Sequence, residues 1–371
     1  MPETLSIITG IFPPDAGGPA KFAREFGDWL AKENLDIRII TYANQDSRQF
    51  LSSNLLIASV ARSHPLPVRI FKFVTELGPP VKDELSRIAV GAFVEVYLAS
   101  ILFKFPYVVK VPGDIVWERA RNNKITQVNI EEFQKMKLSL KYRIFRTLFT
   151  RSLKRARLVI VPSLGLYKLC LNWGVPESQI KLIYNSVDTI ADTKDLSKPQ
   201  KFHLVTVCRL VSWKGVDELI DYAAKRKLSL LVVGDGPDRG RLESLALSLN
   251  ANVTFTGDVT HQRVFEHLSE SGIFVLNSYY EGLPHALVEA RVLGVLSIAR
   301  AGTGSEEVIN DDEDGFLIRP DRPLDVTIDM ALRKQPNSQL LIERAKTDSL
   351  NRFSKARNYP VILKLIESVN R

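Results

Sequence analysis

The stretch LSLLVVGDG, residues 228–236, is short, almost unbroken in Leu and Val, and stops at two glycines around an aspartate. A strand with one wet face would alternate apolar and polar residues, so a continuous run of this length suits a strand buried on both faces of a parallel sheet. Similar runs recur along the chain. LSIIT, DIRIITY, LLIASVA, YVVKV, LVIVPS and KLIYN lie in the first half, and LVTVCRL, VTFTG, IFVLNS, LSIARA and GFLIRP accompany it in the second. Helix-length amphipathic segments separate most of them, so the expected fold is α/β, with two Rossmann-like, doubly wound parallel-sheet domains. The 371 residues are too many for one ordinary domain. The expected division is 1–190, 191–352 and a terminal helix at 353–371 that crosses back to the first domain. Residues 189–201, TIADTKDLSKPQK, are polar and without apolar period, which reads as a linker or hinge. Two such domains would face each other across a cleft at the carboxyl ends of their strands, where open α/β sheets bind ligands.

Composition narrows the class. The chain is 45% hydrophobic and 25% charged, close to globular averages, and no run reaches the 18 or so apolar residues of a membrane span. The segment from Ile88 to Val109 is interrupted by Glu95, Lys104 and Pro106, so a buried helix followed by a strand is expected there. MPETLSIITG lacks a basic leader, and the two cysteines, Cys170 and Cys208, have no metal-ligand spacing. A reducing, cytoplasmic setting is the expectation. The net charge is +8, and all of the basic excess lies in residues 1–190, where 26 Lys and Arg face 17 Asp and Glu. It concentrates in residues 133–158, which hold Lys135, Lys137, Lys141, Arg143, Arg146, Arg151, Lys154, Arg155 and Arg157 and no acid.

The chemistry centres on YYEGLPHALVEARVLG, residues 279–294. Pro284 just inside the start and Gly294 just past the end place a helix at about 284–293. Glu281 precedes it and Glu289 lies within it. Ala286, Leu287, Ala290 and Leu293 form its expected buried stripe. The first amides, those of His285, Ala286 and Leu287, point out of the N-terminus, which favours an anion such as phosphate. Eight positions of helix separate the two acids by roughly 10 to 12 Å, whereas a hydrolytic carboxylate pair stands about 5 to 9.5 Å apart. Acids that far apart, with an anion site between them, suit an elongated ligand with hydroxyls at both ends, such as a nucleoside diphosphate sugar.

With these residues in view, Glu281, seven residues, Glu289, preceded by IFVLNS and followed by ARVLG, resembles the signature of family 4 retaining glycosyltransferases, which have the two-domain GT-B fold. Further motifs agree in order over nearly the whole chain. VTVCRLVSWKG resembles the segment with the diphosphate-binding Arg and Lys, here Arg209 and Lys214. LLVVGDGP is similar to the strand that ends in G-x-G-P, and IYNSVD to N-G-V-D with Ser186 replacing the Gly. FPPDAGGPAKFAREFGDWLA resembles the glycine-rich loop that opens the first helix, with Gly17 and Gly18 near the diphosphate. The resemblance implies that Glu281 binds donor-sugar hydroxyls, Glu289 binds the ribose, and Arg209 with Lys214 neutralises the diphosphate. It also implies a donor of UDP or GDP type, no metal or other cofactor, and a sugar or lipid-linked hydroxyl acceptor. Asp114, in KVPGDIVWERARN, stands about where the family often has a catalytic His and some members an Asp, so it is the expected polar contact to the donor sugar.

Each motif also has a plainer reading. A carboxylate near a helix N-terminus is favoured by the dipole alone, and Arg209 and Lys214 suit a solvated strand end. The D-E-D of Asp312–Asp314 resembles a metal-binding D-x-D, but NDDEDG reads as a solvated turn. Leu138, Tyr142, Phe145, Phe149 and Leu153 make the basic segment an amphipathic helix. Its cationic surface suits an anionic membrane, on the inner face of the cell, as well as it suits solvent. No nucleic-acid-binding motif accompanies it. A sugar-nucleotide epimerase of the same architecture and a non-catalytic nucleotide-sugar binding protein are the competing functions.

Overall fold

The computed structural model describes residues 3–15, 17–81, 83–187, 200–302 and 304–369, so the expected hinge at 189–201 lies almost wholly outside the described residues. The chain forms two compact units, Met1–Ile183 with Tyr359–Arg371, and Tyr184–Asn358.

The first unit is built on an eight-stranded sheet, comprising β1 (Thr4–Ile8), β2 (Asp36–Ala43), β3 (Ser47–Ser52), β4 (Leu55–Ala61), β5 (Glu84–Ala89), β6 (Val108–Lys110), β7 (Leu158–Val161) and β8 (Ile180–Leu182), in the order β3-β4-β2-β1-β5-β6-β7-β8. All neighbours are parallel except β3 and β4. Two strands differ from the sequence reading. β3 is an exposed antiparallel edge. β5 lies between β1 and β6, although ELSRIA carries two charges. Its Arg87 is buried because Glu84 takes its Nε at 2.7 Å, the carbonyls of Gly78 and Pro79 take its other nitrogens at 2.9 and 3.0 Å, and the ring of Phe105 lies 4.0 Å away. A buried charge that is hydrogen-bonded and paired costs far less than one left unpaired. The segment after β5 contains the helix Phe93–Phe103 and then β6.

The second unit has a six-stranded, all-parallel sheet of β9 (Phe202–Val207), β10 (Leu230–Val233), β11 (Val253–Phe255), β12 (Ser271–Leu276), β13 (Leu296–Arg300) and β14 (Phe316–Ile318), in the order β11-β10-β9-β12-β13-β14. The opening stretch of the sequence is β10, all four of whose residues are buried. One face packs on the helices Val216–Arg226 and Leu324–Lys334, the other on His285–Val292 and Gln339–Phe353. The strand order reverses between β9 and β12, the kind of switch point at which open α/β sheets bind ligands in the crevice outside the carboxyl ends of their strands.

The last helix, Lys355–Glu367, contains Pro360. From Tyr359 onward it belongs to the first unit, where the Tyr359 ring packs edge-on to Phe26 and Trp29 at 5.1 and 5.7 Å, and Ile362 and Ile366 join the same core. Tyr184 belongs to the second unit, with its ring 5.2 Å from Phe353.

Candidate functional site

In the second unit the loops after β9 and β12 are tied together. After β9, Ser212–Lys214 make one 3-10 turn that ends at Gly215 in a left-handed conformation, φ 59°. Asn277, just past β12, donates to the Gly215 carbonyl at 2.9 Å, and the Tyr279 amide donates to the Trp213 carbonyl at 2.9 Å. A Cβ at Gly215 would stand 2.5 Å from the Asn277 amide nitrogen, so only glycine admits this approach. The turn thereby carries the Lys214 ammonium onto Glu281, Nζ to Oε1 2.5 Å, with side chains 15% and 13% exposed. Glu218 reinforces the junction through Asn277, Arg300 and the Tyr279 hydroxyl.

Gly234 and Gly236, after β10, pack on the same loop. A Cβ on either would lie 2.2 Å from the carbonyl of Cys208 or Leu210. Their task is close backbone packing. Burial pushes the Cys208 thiol up to about 11, with Lys214 and Glu281 near enough to act on it. Arg209 is exposed, and among the described residues no side chain or carbonyl pairs with it. Gly304 packs on the backbone before the helix, where a Cβ would come within 2.7 Å of the Glu281 and Gly282 carbonyls.

The expected helix runs from His285 to Val292, with Pro284 at its cap and Gly294 at φ 81°. It is buried more fully than one stripe: Leu287, Val288, Glu289, Ala290, Arg291 and Val292 are all inside, while Ala286 is only half-buried. Arg291 pairs with Asp314 at 2.9 Å and donates to Ser349 at 3.0 Å. Asp314 also accepts from the Asn310 amide at 2.8 Å. This corrects the reading of Asp312–Asp314 as a solvated turn: Asp314 faces inward as the partner of a buried guanidinium, and Asp312 pairs with Arg322. Glu289 accepts from His261 Nε2 at 2.9 Å, a partner that no motif announced. The structure therefore brings Glu281 and Lys214 together, and holds Glu289 on the helix that begins at His285.

Gly17, Gly18 and Asp114 belong to the first unit. Gly17 (φ 147°) caps the helix Gly18–Lys32 in the segment after β1. Asp114, 1% exposed, caps the helix Ile115–Asn122 after β6. Its Oδ1 accepts from the amides of Val116 and Trp117, both at 3.0 Å, and its Oδ2 from Gln134 at 2.8 Å. Burial raises its acid range against these hydrogen bonds and the nearby Arg146. With both oxygens engaged by the protein, Asp114 acts as a helix cap that fixes the loop after β6. Sequence reading also passed over Lys110, the last residue of β6. It is buried, its amine lies 4.9 Å from the Phe22 ring, and desolvation lowers its pKa to about 7.

Comparison with known proteins covers almost the whole chain. Residues 16–190 match the family described as Glycosyltransferase Family 4, and residues 188–348 match Glycosyl transferases group 1. An uncharacterised glycosyltransferase of Methanocaldococcus jannaschii is 30% identical over 352 residues, covering 87% of each chain. Lipopolysaccharide 1,6-galactosyltransferase of Escherichia coli is 28% identical over 56% of this chain and 60% of its own length. Among solved structures, sucrose-phosphate synthase from Thermosynechococcus elongatus superposes with a TM-score of 0.81 at 18% identity over 99% of both chains. Anabaena HepE in complex with UDP and glucose gives 0.78 at 17% identity over 98% of this chain and 99% of that one. These two likenesses establish the GT-B fold.

Proposed function

The chain belongs to glycosyltransferase family 4, and from that premise we propose that it moves a sugar from a nucleoside diphosphate donor to a hydroxyl acceptor of an envelope glycan or glycolipid. The observation that carries the reading is the Lys214–Glu281 pair, in the loop that begins with the exposed Arg209 and in the segment just before the helix His285–Val292. Departure of the nucleoside diphosphate develops negative charge. A held ammonium, an exposed guanidinium and the amides of His285, Ala286 and Leu287 stabilise that charge without a metal. Glu281 accepts from donor-sugar hydroxyls and at the same time fixes Lys214. Glu289 accepts from the ribose. Gly17 and Gly18 give the diphosphate a backbone approach free of side chains, and a phosphate oxygen of the donor takes the acceptor's proton. Asp114 contributes by holding its loop.

The bound UDP and glucose of HepE favour a UDP-sugar donor, and the lipopolysaccharide galactosyltransferase favours an envelope acceptor. Among the described residues no helix is long and apolar enough to cross a membrane. Contact with a bilayer would instead run through residues 133–158, where the helix Leu140–Arg155 exposes Lys141, Arg143, Arg151 and Lys154 beside Leu140 and Ile144. Each cation near an anionic surface adds about 1 kcal/mol. Sedimentation with anionic but not with neutral vesicles is the expected result, and equal binding to both would remove the membrane from the proposal.

The test of the donor site is thermal unfolding with UDP, GDP, ADP and NAD in EDTA. A ligand at 100 times its dissociation constant stabilises the fold by about 2.7 kcal/mol. Stabilisation by one nucleoside diphosphate is expected. A shift with NAD alone, or none at all, would overturn the reading, and conversion of donor without acceptor would replace transfer with epimerisation.

A further inference from the structure

The helix His285–Val292 is buried along nearly its whole length, yet Glu289 stands in the middle of it between Val288 and Ala290. Burying a carboxylate is costly unless it is met by donors. One donor comes from a different helix, His261–Ser269, whose first residue reaches Glu289 Oε1 from Nε2 at 2.9 Å. A carboxylate only accepts, so the imidazole carries a proton on Nε2. The two partners differ in exposure: the His261 side chain is 40% exposed and that of Glu289 is 6% exposed. The pair therefore runs from an imidazole exposed at the surface to a carboxylate just behind it.

His261 is itself held in place. The Thr260 hydroxyl caps its helix by accepting from the Arg263 amide, and the ring of Phe265, one turn on, lies 4.3 Å from the imidazole at 55°. An imidazole fixed on both sides defines which way the carboxylate points. The adjacent hydroxyls of a ribose are the group that an acid takes in doubly wound nucleotide sites.

We propose that His261 is a positioning residue of the nucleotide site, whose hydrogen bond orients the Glu289 carboxylate toward the ribose hydroxyls of the donor. The inference rests on the reading of Glu289 given above. It makes His261 a determinant of the preference for ribonucleotides over 2′-deoxyribonucleotides.

The experiment is calorimetric titration in EDTA of the full chain, and of its His261→Ala, His261→Gln and Glu289→Gln variants, with UDP, GDP and ADP and their 2′-deoxy counterparts. For the base that binds, the wild-type chain should prefer the ribonucleotide, and Glu289→Gln should erase that preference. His261→Ala should weaken ribonucleotide binding about tenfold, the worth of one charge-assisted hydrogen bond, while leaving deoxyribonucleotide binding within about twofold. His261→Gln, which returns an N–H to the same reach, should restore most of the loss. A purely structural role would weaken both nucleotides alike. If His261→Ala keeps the full preference while Glu289→Gln loses it, the inference falls and the donor reading stands. If the wild-type chain shows no preference, or binds none of the nucleotides, the ribose role of Glu289 falls and the inference with it.

Discussion

Lys214 and Glu281 lie 67 residues apart in sequence, and each has lost about six-sevenths of its side-chain exposure to reach the other. Consider Glu281→Gln and Lys214→Met, singly and together. At an effective dielectric constant of about 20, charges about 3 Å apart attract by roughly 5 kcal/mol. Desolvating two ions costs several kcal/mol, so the pair as a whole is close to neutral for stability. Removing one partner leaves the cost without the return. A fully buried pair broken in this way loses about 3 to 5 kcal/mol. Here the remaining exposure lets the stranded group recover part of its hydration, so each single variant should lose about 2 kcal/mol.

The double variant should return to within about 1 kcal/mol of the starting chain, a coupling of about 2 kcal/mol in the cycle. Urea unfolding of all four proteins, followed by circular dichroism and tryptophan emission, measures it. All three variants should lack transfer activity, because the double change repairs the charge balance and not the chemistry. Losses in the single variants that simply add in the double would refute the pair, as would single variants as stable as the parent.

Three further outcomes separate the other charged groups. Arg209→Ala should abolish transfer while changing stability by less than about 0.5 kcal/mol, since the side chain is exposed and unpartnered among the described residues; a large shift in the urea midpoint would place it in the fold. Asp114→Ala should cost about 2 kcal/mol, because it removes a helix cap and deprives the Gln134 amide of one of its two acceptors; an unchanged midpoint would refute the cap. Lys110, buried with a pKa near 7, loses its proton about three units earlier in the folded chain than in the unfolded one. Between about pH 7 and 10 the unfolded chain therefore binds more protons, and stability rises with pH by up to about 1.4 kcal/mol per unit. Lys110→Met should remove that rise, and equal slopes in the two proteins between pH 6.5 and 9 would show that the amine is not buried.

How far the sequence speaks depends on where a charge finds its partner. β10 was legible because LLVV is apolar throughout and ends in glycines, and β12, with its run IFVL, followed for the same reason. β5 was not, because a strand pattern treats Glu84 and Arg87 as solvated. The acceptors that remove Arg87 from water include carbonyls eight and nine residues away, folded back against it. Asp314 was misread in the same way, polar on its own and buried as the partner of Arg291, 23 residues away. The site repeats the pattern. Motif order suggested separate roles for Lys214 and Glu281, but their contact depends on Gly215 admitting Asn277, a backbone approach that the spacing of charged residues does not encode. Glu289 stood in a motif, whereas His261 stood in none, since one histidine at the start of a helix has no periodic or spacing signature. What the motifs supplied were residues at the carboxyl ends of β9 and β12, the neighbouring strands between which the sheet order reverses. That reversal follows from connecting β9–β11 to one side and β12–β14 to the other, which is why recognising the strand sequence locates the crevice while the contacts inside it require the folded chain.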